Sequence, residues 1–207
     1  VLIMIQSTVK FSQVEERFDA EYYKPEFVET ERLLEKLSFT TQLKEVASKE
    51  RARRNPENEE AESIRYLDIA NVDLTTGEVA LQTMSKHLAP SRARRGVEIG
   101  DIAISTVRPI RNAIAFISTD LRDIVCSTGF AIITPKKIDS SYLFAFLKTN
   151  YAINQLVRRT SAAMYPAVSE DEIFNIKVPV PAESIQKKIG GLVKISFQKN
   201  ALAKEKY

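Results

Sequence analysis

The stretch Val178-Pro179-Val180-Pro181, followed by residues 183–207 (ESIQKKIGGLVKISFQKNALAKEKY), decides how the chain is organised. Pro181 stops the extended segment, and no further proline interrupts the polar stretch after it, so this stretch can form one continuous helix. Directly upstream, residues 158–166 (RRTSAAMYP) form a basic loop. The order of these parts predicts a globular module that ends in a helical spacer.

We therefore expect an α+β domain over residues 1–181, with a mixed sheet and flanking helices, followed by a long spacer or dimerisation helix over residues 182–207. This helix is expected to project as a coiled-coil arm, because its apolar positions form only a narrow stripe. The alternative is that the helix packs on its own domain and buries the stripe there. The stripe consists of Ile185, Ile189, Leu192, Ile195 and Leu202.

Helix signals also occur within the proposed domain. Pro25 begins an amphipathic pattern, and Asp139 can cap a second helix that we expect to extend toward Val157. Ser169 and Glu172 match a capping box for one short helical turn. These signals predict helices that flank a sheet.

Strand and loop signals alternate with these helices. Residues 50–62 are almost wholly charged or polar and residues 91–96 are basic, so both are predicted to be solvated loops. Gly77 permits a positive φ in a hairpin-like turn at residues 73–78. Short strands are predicted near residues 2–11, with the apolar opening at residues 1–5 as the first, and further strands at residues 64–69, 102–105, 112–117, 129–134 and 176–180.

Composition sets the broad class. A chain of 207 residues with 44% hydrophobic residues can build one real core. The net charge is only +3, so any basic surface is local. Cys126 is the single cysteine, and no leader or apolar run of membrane-spanning length is seen, so we expect a cytoplasmic, reducing location.

Catalytic chemistry is poorly represented. His87 is the only histidine, which excludes a histidine-based metal cluster, a catalytic triad or a histidine–cysteine pair within one chain. The six glycines form neither a phosphate-binding loop nor a dinucleotide fingerprint. We therefore expect a protein that is not an enzyme and that holds no metal and no cofactor.

Binding chemistry is better represented, in three arginine clusters beside predicted loops. The planar guanidinium fork can grip a phosphate, or the O6/N7 edge of guanine, with two hydrogen bonds. Taken singly, each cluster also fits a solvated surface, but together they favour a nucleic-acid partner. The clusters are Arg51, Arg53 and Arg54; Arg92, Arg94 and Arg95; and Arg158 and Arg159.

The clusters are expected to differ in role. Three arginines within residues 92–95 cannot all reach neighbouring base edges, so this cluster should neutralise phosphates. Arg158 or Arg159 is expected to read a guanine edge. Arg108 and Arg111 flank Pro109 beyond a predicted strand, where they either contact a phosphate or pair with core carboxylates.

The tyrosines divide in the same way. Tyr22, Tyr23 and Tyr66 lie beside a helix start or within a strand, and we expect them to fill the core. Tyr165 lies between a basic segment and Pro166 in a loop, so we expect it to face DNA. A deeply buried Tyr165 would count against that role.

Six segments in this order resemble the specificity subunit of a type I restriction-modification system, in a half-length form with one target recognition domain and one spacer helix. A match spread over nearly the whole chain is more specific than any one segment. The segments are residues 17–25 (RFDAEYYKP), 66–69 (YLDI), 100–109 (GDIAISTVRP), 127–131 (STGFA), 142–147 (YLFAFL) and 178–181 (VPVP), with Gln186 after the last. Where such domains often carry a glycine after Thr160-Ser161, this chain has Ala162 and Ala163.

The resemblance implies a subunit that binds a specific sequence of double-stranded DNA and directs adenine-N6 methyltransferase subunits, and possible restriction subunits, to it. Chemistry and cofactor would then belong to those partners. It also implies that a second copy could replace a missing second domain through an antiparallel helix pair. The alternatives are the recognition piece of a fused methyltransferase or nuclease, a fragment of a longer chain, and a helix-mediated protein-interaction module without specific DNA binding.

Overall fold

The computed structural model describes residues 6, 8–11, 14, 17–49, 53–118, 124–161 and 164–204. The helices are α1 (Pro25–Glu35), α2 (Ser140–Leu147), α3 (Asn150–Arg158), α4 (Glu170–Phe174) and α5 (Glu183–Lys204). The strands are β1 (Thr40–Gln42), β2 (Ala47–Ser48), β3 (Ser63–Leu67), β4 (Gln82–Ser85), β5 (Ala93–Gly96), β6 (Ile102–Ser105), β7 (Ile114–Phe116), β8 (Ile124–Ser127), β9 (Phe130–Pro135) and β10 (Lys177–Pro179). Of the short strands expected near residues 2–11, residues 1–5 lie outside the described residues, and residues 6 and 8–11 do not form a strand.

The strands form three sheets, with the orders β2-β9-β6-β7, β4-β3-β8-β5 and β1-β10. Strands β3 and β8 are parallel, whereas the other pairs are antiparallel. The mixed sheets with surrounding helices confirm the α+β class.

The sheet β2-β9-β6-β7 separates two apolar clusters. Side chains alternate between the faces of a strand, so Ile104 and Ile133 join the cluster that packs against the helices. Ala103 and Ile132 point to the opposite cluster, which also contains Leu67 and Ile124 from the second four-stranded sheet. The two four-stranded sheets therefore share one apolar layer, and the helices cover the other side of the first.

Most local signals are confirmed. Helix α1 begins at Pro25, and the Asp139 carboxylate accepts a hydrogen bond from the Tyr142 N–H (2.8 Å) at the start of α2. Ser169 accepts from the Glu172 N–H (3.2 Å) at the start of α4. Gly77 has a φ of 74° in the predicted turn.

One stretch that was predicted to form a single helix forms two helices. The helix expected from Asp139 toward Val157 breaks between α2 and α3, because local side chains occupy the backbone carbonyls there. The Thr149 hydroxyl donates to the Phe146 carbonyl (2.6 Å), and the Asn112 amide donates to the Lys148 carbonyl (3.0 Å). These bonds replace the continuing helical ladder.

The basic segment at residues 91–96 is also not a loop. Residues 93–96 form strand β5, which pairs with β8 and buries Ala93 and Gly96. A bulge between Ala93 and Arg95 leaves Arg94 as the additional residue, and bulges of this kind change the direction of a side chain. Burial of Ala93 and Gly96 therefore favours a strand here, although the neighbouring residues are polar.

Helix α5 begins at Glu183 as expected and continues to Lys204, the last described residue, but it does not project from the domain. Gln186 and Gly190 are buried on α2, and the Phe197 ring lies 5.8 Å from Phe144 and 6.0 Å from Phe116, centre to centre. The predicted apolar stripe faces the other way. Ile185, Leu192, Ile195 and Leu202 are exposed, and Ile189 is partly exposed.

Candidate nucleic-acid interface

The fold brings the first two arginine clusters together. Arg53 forms a β-bridge with Arg95, and the Arg54 N–H donates to the Arg94 carbonyl (3.1 Å). Strand β5 therefore places residues 53–54 directly beside residues 94–95. Arg51 lies outside the described residues.

Arg54 and Arg95 make ion pairs within the fold, and Arg94 contacts the backbone. Arg54 forms a salt bridge with Glu59 (2.5 Å), and its hydrogen bonds lower the pKa of that carboxyl. Arg95 forms an ion pair with Glu170 at the start of α4. The Arg94 guanidinium donates to the Ala93 carbonyl (2.9 Å). Arg53 and Arg92 differ from them because they are exposed.

The expectation that Arg158 or Arg159 reads a guanine edge is wrong, because both side chains are engaged within the fold. The Arg158 residue is only 6% exposed, stacks 4.0 Å from the centre of the Tyr22 ring, and donates to the Tyr22 carbonyl (3.0 Å). Both Arg158 and Arg159 form salt bridges with Glu31 of α1 (3.3 and 3.4 Å). These guanidinium groups lie under the surface, where they join α3 to α1.

Glu31 is the centre of this buried charge cluster. It also contacts Lys177 of β10 (2.6 Å). Burial alone would raise the pKa of Glu31, but the hydrogen bond from Lys177 and the positive charges of Lys177, Arg159 and Arg158 outweigh it and lower the pKa. Three elements distant in sequence are thus held by one ionised carboxylate.

Arg108, Arg111 and Tyr165 lie at the surface. Arg108 is partly exposed and its guanidinium carbon lies 5.5 Å from the centre of the Tyr165 ring, which is 64% exposed. Arg111 is exposed at the end of the turn Pro109–Arg111. Neither Arg108 nor Arg111 forms a salt bridge with another described residue. The structure therefore does not support the alternative in which they pair with core carboxylates.

Backbone hydrogen bonds connect the segments that carry these side chains to Gly129, which lies beside Arg92. The Thr106 N–H donates to the Gly129 carbonyl (2.9 Å), and the Val168 N–H donates to the Thr106 carbonyl (2.9 Å). A methyl group added at Gly129 would lie 2.9 Å from the Arg92 guanidinium, which shows that this side chain crosses the glycine closely. Strand β6 and its neighbours therefore place Arg92, Arg108, Arg111 and Tyr165 in one region, here called the arginine–tyrosine surface.

The remaining aromatic expectations are confirmed in part. Tyr22 and Tyr66 are buried, and the Tyr23 hydroxyl donates to the Arg17 carbonyl (2.9 Å), so all three have structural contacts. Sequence reasoning missed Ile110 and Met164, which are 66% and 79% exposed beside the arginine–tyrosine surface. An apolar residue in a loop gives no signal that it will be exposed.

Metal sites and membrane-crossing helices were also sought among the described residues. Among the described residues, no group of three or more His, Cys, Asp or Glu side chains could hold a metal ion. No helix in that same part of the chain is both long and apolar enough to cross a membrane.

Comparison with known proteins identifies relatives. Residues 37–207 match a family model described as the type I restriction modification DNA specificity domain. The specificity subunit of the type I restriction enzyme HindI from Haemophilus influenzae is 26% identical over 104 residues, which are 48% of this chain and 23% of that subunit.

Solved structures show the same fold. The HsdS subunit from Thermoanaerobacter tengcongensis superposes with a TM-score of 0.68 and 28% identity over 80% of this chain. A structure from a study of complex assembly and conformational transition of the type I R-M system superposes with a TM-score of 0.66 and 27% identity over 81% of this chain. The chain spans 43% of the length of each.

Proposed function

Because the chain belongs to the type I restriction-modification DNA specificity domain family, we propose that it binds one DNA sequence and directs adenine-N6 methyltransferase subunits, and restriction subunits, to that site. The observation that carries this proposal is the arginine–tyrosine surface. Arg92, Arg108 and Arg111 present guanidinium groups at the surface, and no salt bridge within the described residues neutralises them.

The two kinds of contact that DNA recognition needs are available here. Exposed arginines such as Arg53 and Arg92 can neutralise phosphates and fix the register of the protein on the duplex. Arg108, directly before the short turn Pro109–Arg111, and the loop around Tyr165 can reach base edges in the major groove. A reader of chromosomal DNA would act in the cytoplasm.

Helix α5 supplies a separate surface for protein partners. Its inner face is fixed to α2, while Ile185, Leu192, Ile195 and Leu202 are exposed on the outer face. We propose that this apolar stripe docks a helix of a methyltransferase subunit or of a second copy of the chain. A paired copy would place two readers on an inverted-repeat target.

Sedimentation equilibrium tests the paired copy. Burial of a leucine side chain contributes about 2 kcal/mol, so Leu192→Lys should abolish a concentration-dependent dimer. Lys194→Ala, at an exposed position on the same helix, should leave the dimer intact. A wild-type chain that stays monomeric at all concentrations would exclude self-pairing and leave the methyltransferase subunit as the partner of the stripe.

Mapping of N6-methyladenine in a host that carries the locus tests the main proposal. We expect methylation at one sequence motif to disappear when the gene is deleted and to return with the wild-type gene. A variant with both Arg92→Ala and Arg108→Ala should fold but fail to restore it. Unchanged methylation after deletion would contradict the proposal.

A further inference from the structure

The turn that carries Arg108 has an unusual backbone. Arg108 has φ 49° and ψ 60°, and Asn112, at the other end of the turn Pro109–Arg111, has φ 57° and ψ 34°. Both residues lie in the left-handed region, which asparagine adopts readily but arginine rarely does. Such residues persist only where surrounding contacts fix them, and they concentrate at functional sites.

Both ends of this turn are fixed by contacts with other elements. The Arg108 N–H donates to the Pro166 carbonyl (2.7 Å). The Asn112 amide donates to the Lys148 carbonyl, and the Lys148 ammonium donates back to the Asn112 carbonyl, both at 3.0 Å. The turn is therefore held between the loop that contains Tyr165 and the junction of α2 with α3.

The side chains on this rigid turn are arranged for a directional contact. The Tyr165 ring lies 5.5 Å from the Arg108 guanidinium carbon, which is within the range of a cation–π contact. The ring limits the motion of the guanidinium group and leaves N–H donors available to a ligand. Because Tyr165 is 64% exposed, the pair lies where a duplex can approach.

We propose that Arg108 reads a guanine in the DNA target and that Tyr165 is its positioning residue. This inference rests on the DNA-binding function proposed above. Guanine presents the O6 and N7 acceptors side by side in the major groove, and a guanidinium group can donate to both. A phosphate contact needs only a positive charge, whereas a stacked arginine on a strained, fixed backbone supplies donors of defined direction.

Arg111 provides the matched comparison. It is exposed on the same turn three residues later, but its guanidinium group contacts no aromatic ring of the described residues. Its backbone conformation is also ordinary, because the positive φ values of this turn belong to Arg108 and Asn112. Arg111 is therefore expected to neutralise a phosphate without reading a base.

Selection of bound duplexes from a randomised pool tests the inference. The purified full chain should select a motif that contains a guanine, and Arg108→Lys should lower the preference for that guanine at one position by about tenfold or more. The other positions of the motif should not change. Arg111→Lys should select the same motif as the wild type.

Tyr165 variants separate positioning from charge. Tyr165→Phe keeps the ring and should keep the guanine preference, whereas Tyr165→Ala should reduce it at the same position. Because Tyr165 is exposed, its replacement tests the pair even if Arg108→Lys does not fold. An unchanged motif for a folded Arg108→Lys variant, or for Tyr165→Ala, would overturn this inference and leave the proposed function standing. A wild-type chain that selects no motif would overturn the proposed function.

Discussion

The arginines of this chain fall into two groups according to what their guanidinium groups contact. Arg95 and Arg158 bind carboxylates of distant segments, and Arg54 binds the nearby Glu59. Arg92 and Arg108 lie at the surface without a carboxylate partner in the described residues. Sequence alone could identify the arginines, but not this division. The partner of Arg158 is Glu31, which is 127 positions away and reaches it only when α1 packs on α3.

The buried carboxylate gives a pH-dependent prediction. Glu31→Gln should lower the free energy of unfolding by about 3 kcal/mol at pH 7, because it leaves Arg158, Arg159 and Lys177 near the core without their anion. The pKa of Glu31 is lowered in the folded state from an ordinary 4.5. Its contribution is therefore fully present above about pH 4.5 and is lost as the pH falls through the lower folded-state pKa.

Urea denaturation of both proteins at pH 7 and at pH 3 measures this effect. The difference between wild type and Glu31→Gln should be largest at pH 7 and should shrink in acid. A difference that stays constant over this range would show that charge at Glu31 does not stabilise the fold.

A second prediction separates a DNA contact from a structural arginine. Arg92→Ala should weaken binding to all duplexes and reduce the slope of log affinity against log salt by about one unit, since one phosphate contact is lost. Arg95→Ala should leave that slope unchanged and cost about 1 kcal/mol of stability, because its ion pair with Glu170 is partly exposed. Salt titrations and thermal unfolding of both variants distinguish the roles. Equal slopes for Arg92→Ala and wild type would remove Arg92 from the interface.

At the scale of elements, the extent of α5 could be predicted but its buried face could not. The apolar stripe suggested one face, yet the chain buries Gln186 and Gly190 and partly buries Phe197. Gln186 accepts from the Asp139 N–H (2.9 Å) and donates to the Pro181 carbonyl (2.8 Å). A glycine and a hydrogen-bonded glutamine allow close packing that a count of apolar residues does not reveal.

The adjacent glycines of α5 provide a matched test of this packing. A methyl group at Gly190 would lie 2.5 Å from the Asp139 Oδ1 that caps α2, whereas one at Gly191 would meet nothing within 4 Å. Gly190→Ala should lower stability by about 1 kcal/mol, since crowding and loss of the cap exceed the gain in helix propensity. Gly191→Ala should raise stability by up to about 1 kcal/mol. Thermal unfolding that changes equally in both variants would contradict the packing of α5 on α2.

At the scale of the whole molecule, the order of segments indicated the fold class and the family. The pairing of the strands was beyond reach, because it depends on contacts such as the parallel register of Arg65 with Ile124. The candidate surface was predictable only in part. Arg92, Arg108 and Tyr165 were named from their sequence positions, but their proximity depends on backbone bonds among residues 106, 129, 166 and 168.

We expect this chain to distinguish one DNA sequence from others through the arginine–tyrosine surface. The dissociation constants of the full chain for a selected duplex and for a scrambled duplex of the same composition, measured between 50 and 200 mM salt, test this expectation. We expect the selected duplex to bind about a thousandfold more tightly, with both affinities falling steeply as salt increases. Equal affinity for the two duplexes would contradict this expectation.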